Sequence, residues 1–383
     1  MKVAQVRILV AGAGTGGHLF PGIAVVERLE GLTENLRVCF VTTGRPIEKT
    51  VLAERGFETV PIRASGVKGY SIIGKLRSLG LVITGIVESR RILKHFRPHL
   101  VLGMGGYASA PVVLAAWMMG IPRVIHEQNR IAGITNRFLG RFSDRVFVSF
   151  PDTRIPGAGE RVRCSGYPVR REIREHMNIA GLPRADREDN RPMTILIAGG
   201  SQGAHSINRA VAEALDYLEN PGDFMFIHQS GAGDETYNRW MYSKKQVKAT
   251  VAAFFNDMAD HYRKADLAIC RAGAGTLAEL AAAGLPAILV PYPHAADNHQ
   301  EANARAMADA GGAEILMETD MNPRKLAGLM MHYRSHPEAL DRMRENLLKY
   351  PGNDDAAGII AHDILLLAGF LPEGGKTGLD KNV

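Results

Sequence analysis

An imidazole at the edge of an almost bare backbone is the first arrangement in this chain that could do chemistry. In LVAGAGTGGHLFPG, residues 9–22, four glycines fall within six residues, His18 follows them and Pro21 comes just after. The preceding Val6–Val10 run reads as a buried strand, and Ile23–Leu29 has apolar residues at helical spacing, so the glycines span a strand-to-helix turn. Glycine lets another group touch the main chain, and a helix start offers free N–H groups and partial positive charge that suit phosphate. Gly12, Gly14 and Gly17 match GxGxxG, a weak sign by itself. A dinucleotide site also wants an acid after the second strand, where VCFVTTG (Val38–Gly44) ends in Thr and Gly. That counts against a nicotinamide cofactor; a tight turn with an incidental histidine is the plain alternative.

Other strand ends carry similar loops. GMGGYASAP (Gly103–Pro111) brings three glycines, Tyr107 and Ser109. His126, Glu127, Gln128 and Asn129 put four consecutive polar side chains at the end of an apolar strand. Such a run is costly to bury without partners, so it either caps the next turn or lines a site. Gly199–Gly203 precedes a helix expected over His205–Leu218, and Gly273–Thr276 precedes one expected over Leu277–Ala283. Both are bare helix starts suited to anions. Glu279 then falls in the first helical turn, either as ordinary capping or as an acceptor for both hydroxyls of a ribose. HAADNHQEANA (His294–Ala304) offers Asn and Gln suited to sugar hydroxyls, and its two histidines, five apart, make a poor metal site. Anion-friendly turns, one carboxylate and many neutral hydrogen-bonders suit a nucleotide diphosphate sugar better than a dinucleotide. No Asp-x-Asp stands beside them, so leaving-group charge falls to helix N-termini and Arg rather than to a divalent ion.

These loops need a scaffold that collects strand ends. Strand candidates alternate with helical stretches almost throughout: RILVAG, RVCFVTT, ETVPIRA, HLVLGM, RVIHEQ and RVFVSF, then TILIAGG, DFMFIHQSG, QVKATVAAF, DLAICRAG, PAILVPYP and GAEILME. This is α/β with mostly parallel sheets, and 383 residues favour two domains. The charged stretch Tyr167–Asn190 interrupts the pattern, which divides the chain into two doubly wound, Rossmann-like domains, 1–166 and 167–350, with glycine-rich strand ends lining a cleft between them. A last helix, Ala356–Leu367 within about 354–370, is expected to return to the first domain.

Composition is that of a soluble globular protein, 46% hydrophobic and 22% charged. Three scattered cysteines, Cys39, Cys164 and Cys270, give neither a disulfide framework nor metal spacing, and the chain enters a strand at once, with no signal peptide expected. Net charge is +6, yet no helix-turn-helix, RNA-binding signature or aromatic–basic interleaving points to nucleic acid. Between Arg63 and Arg97 stand eight Lys or Arg against one acid, Glu88, with Tyr70, Ile72, Ile73, Leu76, Leu79, Leu81, Val82 and Ile83 among them. That segment is either a surface for an anionic membrane or a core-facing helix with a solvated basic side. Its longest uncharged run, Ser78–Val87, is too short to span a bilayer.

Taken in order, GTGGH, GGYASAP, IHEQNRIAGITNR, GYPVR, GGSQGA, ICRAGAGTLAELAAAGLPAILVP and HQEANA resemble the MurG-type transferases, the undecaprenyl-diphospho-muramoylpentapeptide β-N-acetylglucosaminyltransferases, from about residue 8 to 315. The resemblance implies a GT-B fold and inverting transfer of GlcNAc from UDP-GlcNAc to the C4 hydroxyl of lipid I, giving lipid II in peptidoglycan synthesis. It implies a peripheral protein on the cytoplasmic face of the bacterial inner membrane, meeting lipid I, an anionic surface and cell-wall synthesis proteins. No cofactor is expected, a divalent cation being at most stimulatory. Donor contacts fall on Thr15, Gly16, Gly17, Asn129, Arg170 and Ser201, with the Phe255 main chain at the uracil edge. Ala274, Gly275, Thr276, Leu277 and Ala278 hold the diphosphate, Glu279 takes the ribose and Gln300 the GlcNAc hydroxyls. Gly14, Tyr107 and His126 lie on the acceptor side, with His18 or Glu127 as the base. Two positions depart from the family: Ala13 replaces a usual glycine, and Tyr167 replaces the asparagine of GNPVR near the expected hinge. Other readings are a transferase for a different lipid such as a diacylglycerol, an epimerase of UDP-GlcNAc, and a silent membrane scaffold that senses UDP-GlcNAc.

Overall fold

The computed structural model describes residues 5–12, 16–63, 72–179, 191–200, 202–350 and 355–371. The chain packs as two units, one of residues 1–128, 132–168 and 354–383, the other of residues 129–131 and 169–353. Tyr167 and Pro168 thus go with the first unit, past the expected boundary at 166, and Asn129–Ile131 go with the second.

In the first unit the strands β1 (Val6–Ala11), β2 (Leu36–Thr42), β3 (Glu58–Pro61), β4 (Leu100–Gly103), β5 (Arg123–Glu127), β6 (Arg145–Val148) and β7 (Val162–Cys164) form one parallel sheet in the order β3-β2-β1-β4-β5-β6-β7. The edge strand β7 is absent from the sequence-based candidates because VRC has no apolar run and is mostly exposed. Both faces of the central strands are covered, so β1, β2 and β4 carry near-continuous apolar runs rather than an alternating pattern. Ile8 and Val10 face the helix Gly16–Glu30 and the C-terminal helix Ala356–Leu367, while Leu9 and Ala11 face the opposite layer with Phe96, Val112 and Val113. The Asp355 side chain accepts the Gly358 N–H at 2.9 Å and an Arg28 ion pair at 3.0 Å, and the buried Asp363 pairs with Arg163 at 2.7 Å. These contacts anchor the returning helix to the first unit.

The second unit repeats the plan with β8 (Met193–Ala198), β9 (Phe224–Gln229), β10 (Lys248–Ala252), β11 (Leu267–Cys270), β12 (Ala287–Leu289) and β13 (Ala313–Ile315), all parallel, in the order β10-β9-β8-β11-β12-β13. In each sheet the strand order reverses once, between β1 and β4 and between β8 and β11. Ligands of open α/β sheets bind outside the carboxyl ends of the strands at such reversals. The loops that the sequence marks out after β1, β4, β8 and β11 therefore sit at these two points.

Candidate active site

In the first unit the helix after β1 starts at Gly16, seven residues before the apolar pattern becomes regular, so Gly16, Gly17 and His18 form its first turn. The glycines there leave the free N–H groups of the first turn uncovered by side chains. Pro21 has no N–H to give to the Gly17 carbonyl four residues back, and the Tyr167 hydroxyl lies 3.5 Å from that oxygen instead. The departure at Tyr167 thus packs against the loop that carries His18. Opposite His18, Gly105 has φ +86°, and a Cβ built on it would fall 3.0 Å from the imidazole Cδ2 and 3.2 Å from Nε2. Ser109 Oγ lies 2.6 Å from the Ala11 carbonyl and 2.7 Å from that of Gly105, and Gln128 donates to the Met104 carbonyl at 2.8 Å. The loop after β4 is so held against the His18 turn, with Tyr107 exposed upon it. Gly14 and Thr15 lie outside the described residues.

The polar run ending β5 resolves into separate tasks. His126 is fully buried; its Nε2 donates to the Gly166 carbonyl at 3.1 Å, its ring meets the Tyr167 ring edge-on, and burial lowers its pKa to about 4. It therefore stays a neutral imidazole. Glu127 is buried, and its Oε2 accepts from the Gly133 N–H at 3.0 Å and from Asn136 Nδ2 at 2.9 Å. This geometry makes Glu127 a brace for the 133–136 turn and weighs against it as a proton acceptor for substrate. Asn129 belongs with the second unit, where Asn303 Nδ2 reaches its Oδ1 at 3.1 Å and the Ala272 carbonyl at 3.3 Å. Asn303 Oδ1 also accepts the Arg130 N–H at 2.9 Å, so one buried amide ties Asn129 and Arg130 to the end of β11.

In the second unit the helix after β11 runs Ala274–Ala283, and its first intrahelical bond is Leu277 N–H to the Gly273 carbonyl at 3.0 Å. The N–H groups of Ala274, Gly275 and Thr276 are left without a partner in the helix, as an anion site needs. Leu277 is buried in the core. The helix begins three residues earlier than expected, so Glu279 lies beyond the first turn, which removes ordinary N-terminal capping as its explanation. Its carboxylate is already fixed: Arg170 Nε and Nη2 lie 3.0 and 2.9 Å from Oε1, and the Tyr262 hydroxyl donates to Oε2 at 2.8 Å.

The loops after β8, β9 and β10 meet through Gln229, whose Nε2 donates to the Gly200 carbonyl at 3.0 Å. Its Oε1 accepts the Phe255 N–H at 3.0 Å, so the amide expected at the uracil edge is engaged. Gly203 comes so close to the next loop that a Cβ would lie 2.0 Å from the Ser230 carbonyl oxygen. Behind these loops the buried His228 contacts the Tyr242 hydroxyl and Asn208 Oδ1, each at 3.0 Å, and burial lowers its pKa to about 3. Gln300 Oε1 accepts the Tyr292 N–H at 3.0 Å. Ser201 lies outside the described residues. Among the described residues no group of three or more His, Cys, Asp or Glu is arranged to hold a metal ion. Tyr262 and Gln229 escaped the sequence reading as site residues, because nothing in their spacing relates them to the loops they hold; Asn303, read within HAADNHQEANA as suited to sugar hydroxyls, holds Asn129 and Arg130.

Residues 8–148 match the glycosyltransferase family 28 N-terminal domain and residues 194–356 its C-terminal domain. The chain is 42% identical, over 93% of its length and 95% of the relative's, to the UDP-N-acetylglucosamine–N-acetylmuramyl-(pentapeptide) pyrophosphoryl-undecaprenol N-acetylglucosamine transferase of Geobacter sp. (strain M21). Among solved structures, Acinetobacter baumannii MurG superposes with a TM-score of 0.75 at 31% identity, over 95% of this chain and 100% of that one. A UDP-GlcNAc 2-epimerase from Neisseria meningitidis superposes with a TM-score of 0.63 at 15% identity, over 94% of this chain and 100% of that one, a likeness of fold alone. Two doubly wound parallel-sheet units make up the GT-B architecture of glycosyltransferases. The chain belongs to glycosyltransferase family 28 and, within it, to the MurG-type UDP-GlcNAc transferases, which are hexosyltransferases.

Proposed function

We propose that this chain transfers GlcNAc from UDP-GlcNAc to the C4 hydroxyl of MurNAc in lipid I, with inversion, to make lipid II. The observation that carries the donor half is the open helix start at Ala274–Thr276 with Glu279 beyond it, its carboxylate held between Arg170 and Tyr262. That set matches a diphosphate at the N–H groups and a ribose diol at the carboxylate. Thr15, Gly16, Gly17, Asn129 and Ser201 complete the donor contacts, Gln300 meets the sugar hydroxyls, and the Phe255 main chain reads the uracil edge. Uracil must then take the Phe255 N–H from Gln229.

In the reaction the acceptor C4 oxygen attacks C1 of GlcNAc. The bond from C1 to the UDP oxygen breaks and the hydroxyl proton passes to the His18 imidazole. A positioned base contributes roughly 10²–10⁴-fold. UDP leaves with its charge met by the helix start and Arg170, so no metal cofactor is required. Gly14 and Tyr107 face the acceptor, and His126 supports that side from within the core.

Lipid I is reached from an anionic membrane surface, at the cytoplasmic face of the inner membrane. No helix among the described residues is long and apolar enough to cross a bilayer. The first unit instead exposes Ile83, Val87, Trp117, Met118, Ile134 and Phe138, beside Arg91 and Arg141. Trp117 and Phe138 both pack on Phe142, with ring centroids 4.9 and 5.3 Å away, so the aromatic part is one patch. The earlier side chains of the basic segment lie outside the described residues.

The deciding experiment measures UDP release from UDP-GlcNAc with and without a short-chain lipid I analogue. Release that depends on the analogue and yields a β-1,4 disaccharide supports the transferase. Release without acceptor points to an epimerase or hydrolase and overturns it; transfer only to a diacylglycerol overturns the acceptor assignment.

A further inference from the structure

We infer that Tyr262 is a positioning residue of the ribose subsite, its buried hydroxyl fixing the Glu279 carboxylate in the orientation a ribose diol needs; this rests on the reading of Glu279 as the ribose acceptor. Tyr262 is 3% exposed, on the helix Met258–Lys264, and donates to Glu279 Oε2 at 2.8 Å. Arg170 approaches from another element and places both Nε and Nη2 on Oε1, at 3.0 and 2.9 Å. An Arg fork normally meets a carboxylate with one nitrogen per oxygen. Here the second oxygen is claimed by Tyr262, so the fork closes on one oxygen and the carboxylate is turned away from the two-oxygen pairing. A carboxylate offers about four lone-pair directions. Tyr262 takes one at Oε2 and leaves that oxygen able to accept a hydroxyl as well. Without the phenol, rotation of the carboxylate lets Arg170 draw in both oxygens and withdraws Oε2 from the ligand. Burial and the adjacent carboxylate push the Tyr262 pKa well above its ordinary value, so the phenol remains a donor at any working pH.

The test compares the affinities of the full chain for UDP and for 2′,3′-dideoxy-UDP by calorimetry. Wild type should prefer UDP by roughly tenfold or more, the size of one charge-assisted hydrogen bond. Tyr262→Phe should bring that ratio down to about threefold with dideoxy-UDP affinity unchanged, and should raise KM for UDP-GlcNAc while kcat stays within about twofold. A variant that weakens both nucleotides equally, or keeps the wild-type ratio, overturns the inference. A wild type that does not discriminate between the nucleotides overturns the ribose reading of Glu279 itself, and this inference with it. Should Tyr262→Phe fail to fold, 3-fluorotyrosine at the same position, a stronger donor of nearly the same shape, should raise the ratio; an unchanged ratio there also overturns the inference.

Discussion

Gly105→Ala adds one methyl group beside the proposed base, crowding the His18 ring and meeting Asn136 Nδ2 only at an ordinary contact of 3.6 Å. Its cost has two parts. Gly105 has φ +86°, and an L-residue in that region costs about 1–2 kcal/mol. The new Cβ would also lie 3.0 Å from His18 Cδ2 and 3.2 Å from Nε2, inside ordinary carbon contact at about 3.5 Å, so the ring must shift by about 0.5 Å. A misplacement of about 1 Å near a reacting centre costs up to about 10²-fold, which sets the expected loss of kcat at about tenfold. Gly120→Ala is the matched control: φ is +68° and nothing lies within 4 Å of the added Cβ. Both variants should lose about 1–2 kcal/mol of unfolding free energy in denaturant titrations. Only Gly105→Ala should lose turnover in the UDP-release assay with lipid I analogue, while both retain the wild-type Kd for UDP. Wild-type kcat in Gly105→Ala, or an equal loss in Gly120→Ala, would refute a reacting role for His18 at this position.

Glu279→Gln removes the charge that Arg170 and the ribose share; KM for UDP-GlcNAc should rise about 10–100-fold, and an unaltered donor affinity sinks the ribose assignment. His126 and His228 are held neutral in the folded chain, with pKa values of about 4 and about 3, whereas the unfolded chain takes up their protons below 6.5. The unfolded state then binds more protons as pH falls, so stability drops. Between pH 7 and pH 5 each unit should lose about 2 kcal/mol in guanidinium titrations, and a flat profile refutes the buried neutral state. Ile134→Ser with Phe138→Ser should lower partition onto anionic vesicles at least about tenfold and leave turnover of a water-soluble acceptor intact; unchanged partition removes this patch from the membrane surface.

The fold was legible because both faces of each parallel sheet are covered. RILVAG and TILIAGG then read as uninterrupted apolar runs whose ends are marked by glycine. What escaped was short or held from elsewhere. β7 has three residues and little burial, so no pattern announces it. Helix starts were placed late at Gly16 and Ala274, because glycine and alanine carry no amphipathic signal while their N–H groups still join the helix. The glycine-rich loops were recognisable by type because a bare backbone at a strand-to-helix turn shows in the residues themselves. Their supports were not: Tyr262 and Gln229 reach them from 17 and 29 residues away, and no local spacing encodes such a contact. The bracing role of Glu127 was hidden for the same reason, since its partners, Gly133 and Asn136, become visible only when the 133–136 turn folds back.

The two units use one topology to place their reactive groups by opposite means. The backbone around His18 is kept bare: a first turn of glycines, a proline that frees a carbonyl, and Gly105 where any Cβ would push the ring. Glu279 owes its position to what is present: a guanidinium on one oxygen and a phenol on the other. The first arrangement should fail by addition of atoms. The second should fail by deletion, each lost donor freeing the carboxylate to rotate toward the partner that remains. A substitution scan that raised KM chiefly around Glu279 by truncation, and lowered kcat chiefly around His18 by enlargement, would separate donor capture from proton transfer more cleanly than replacing either residue alone.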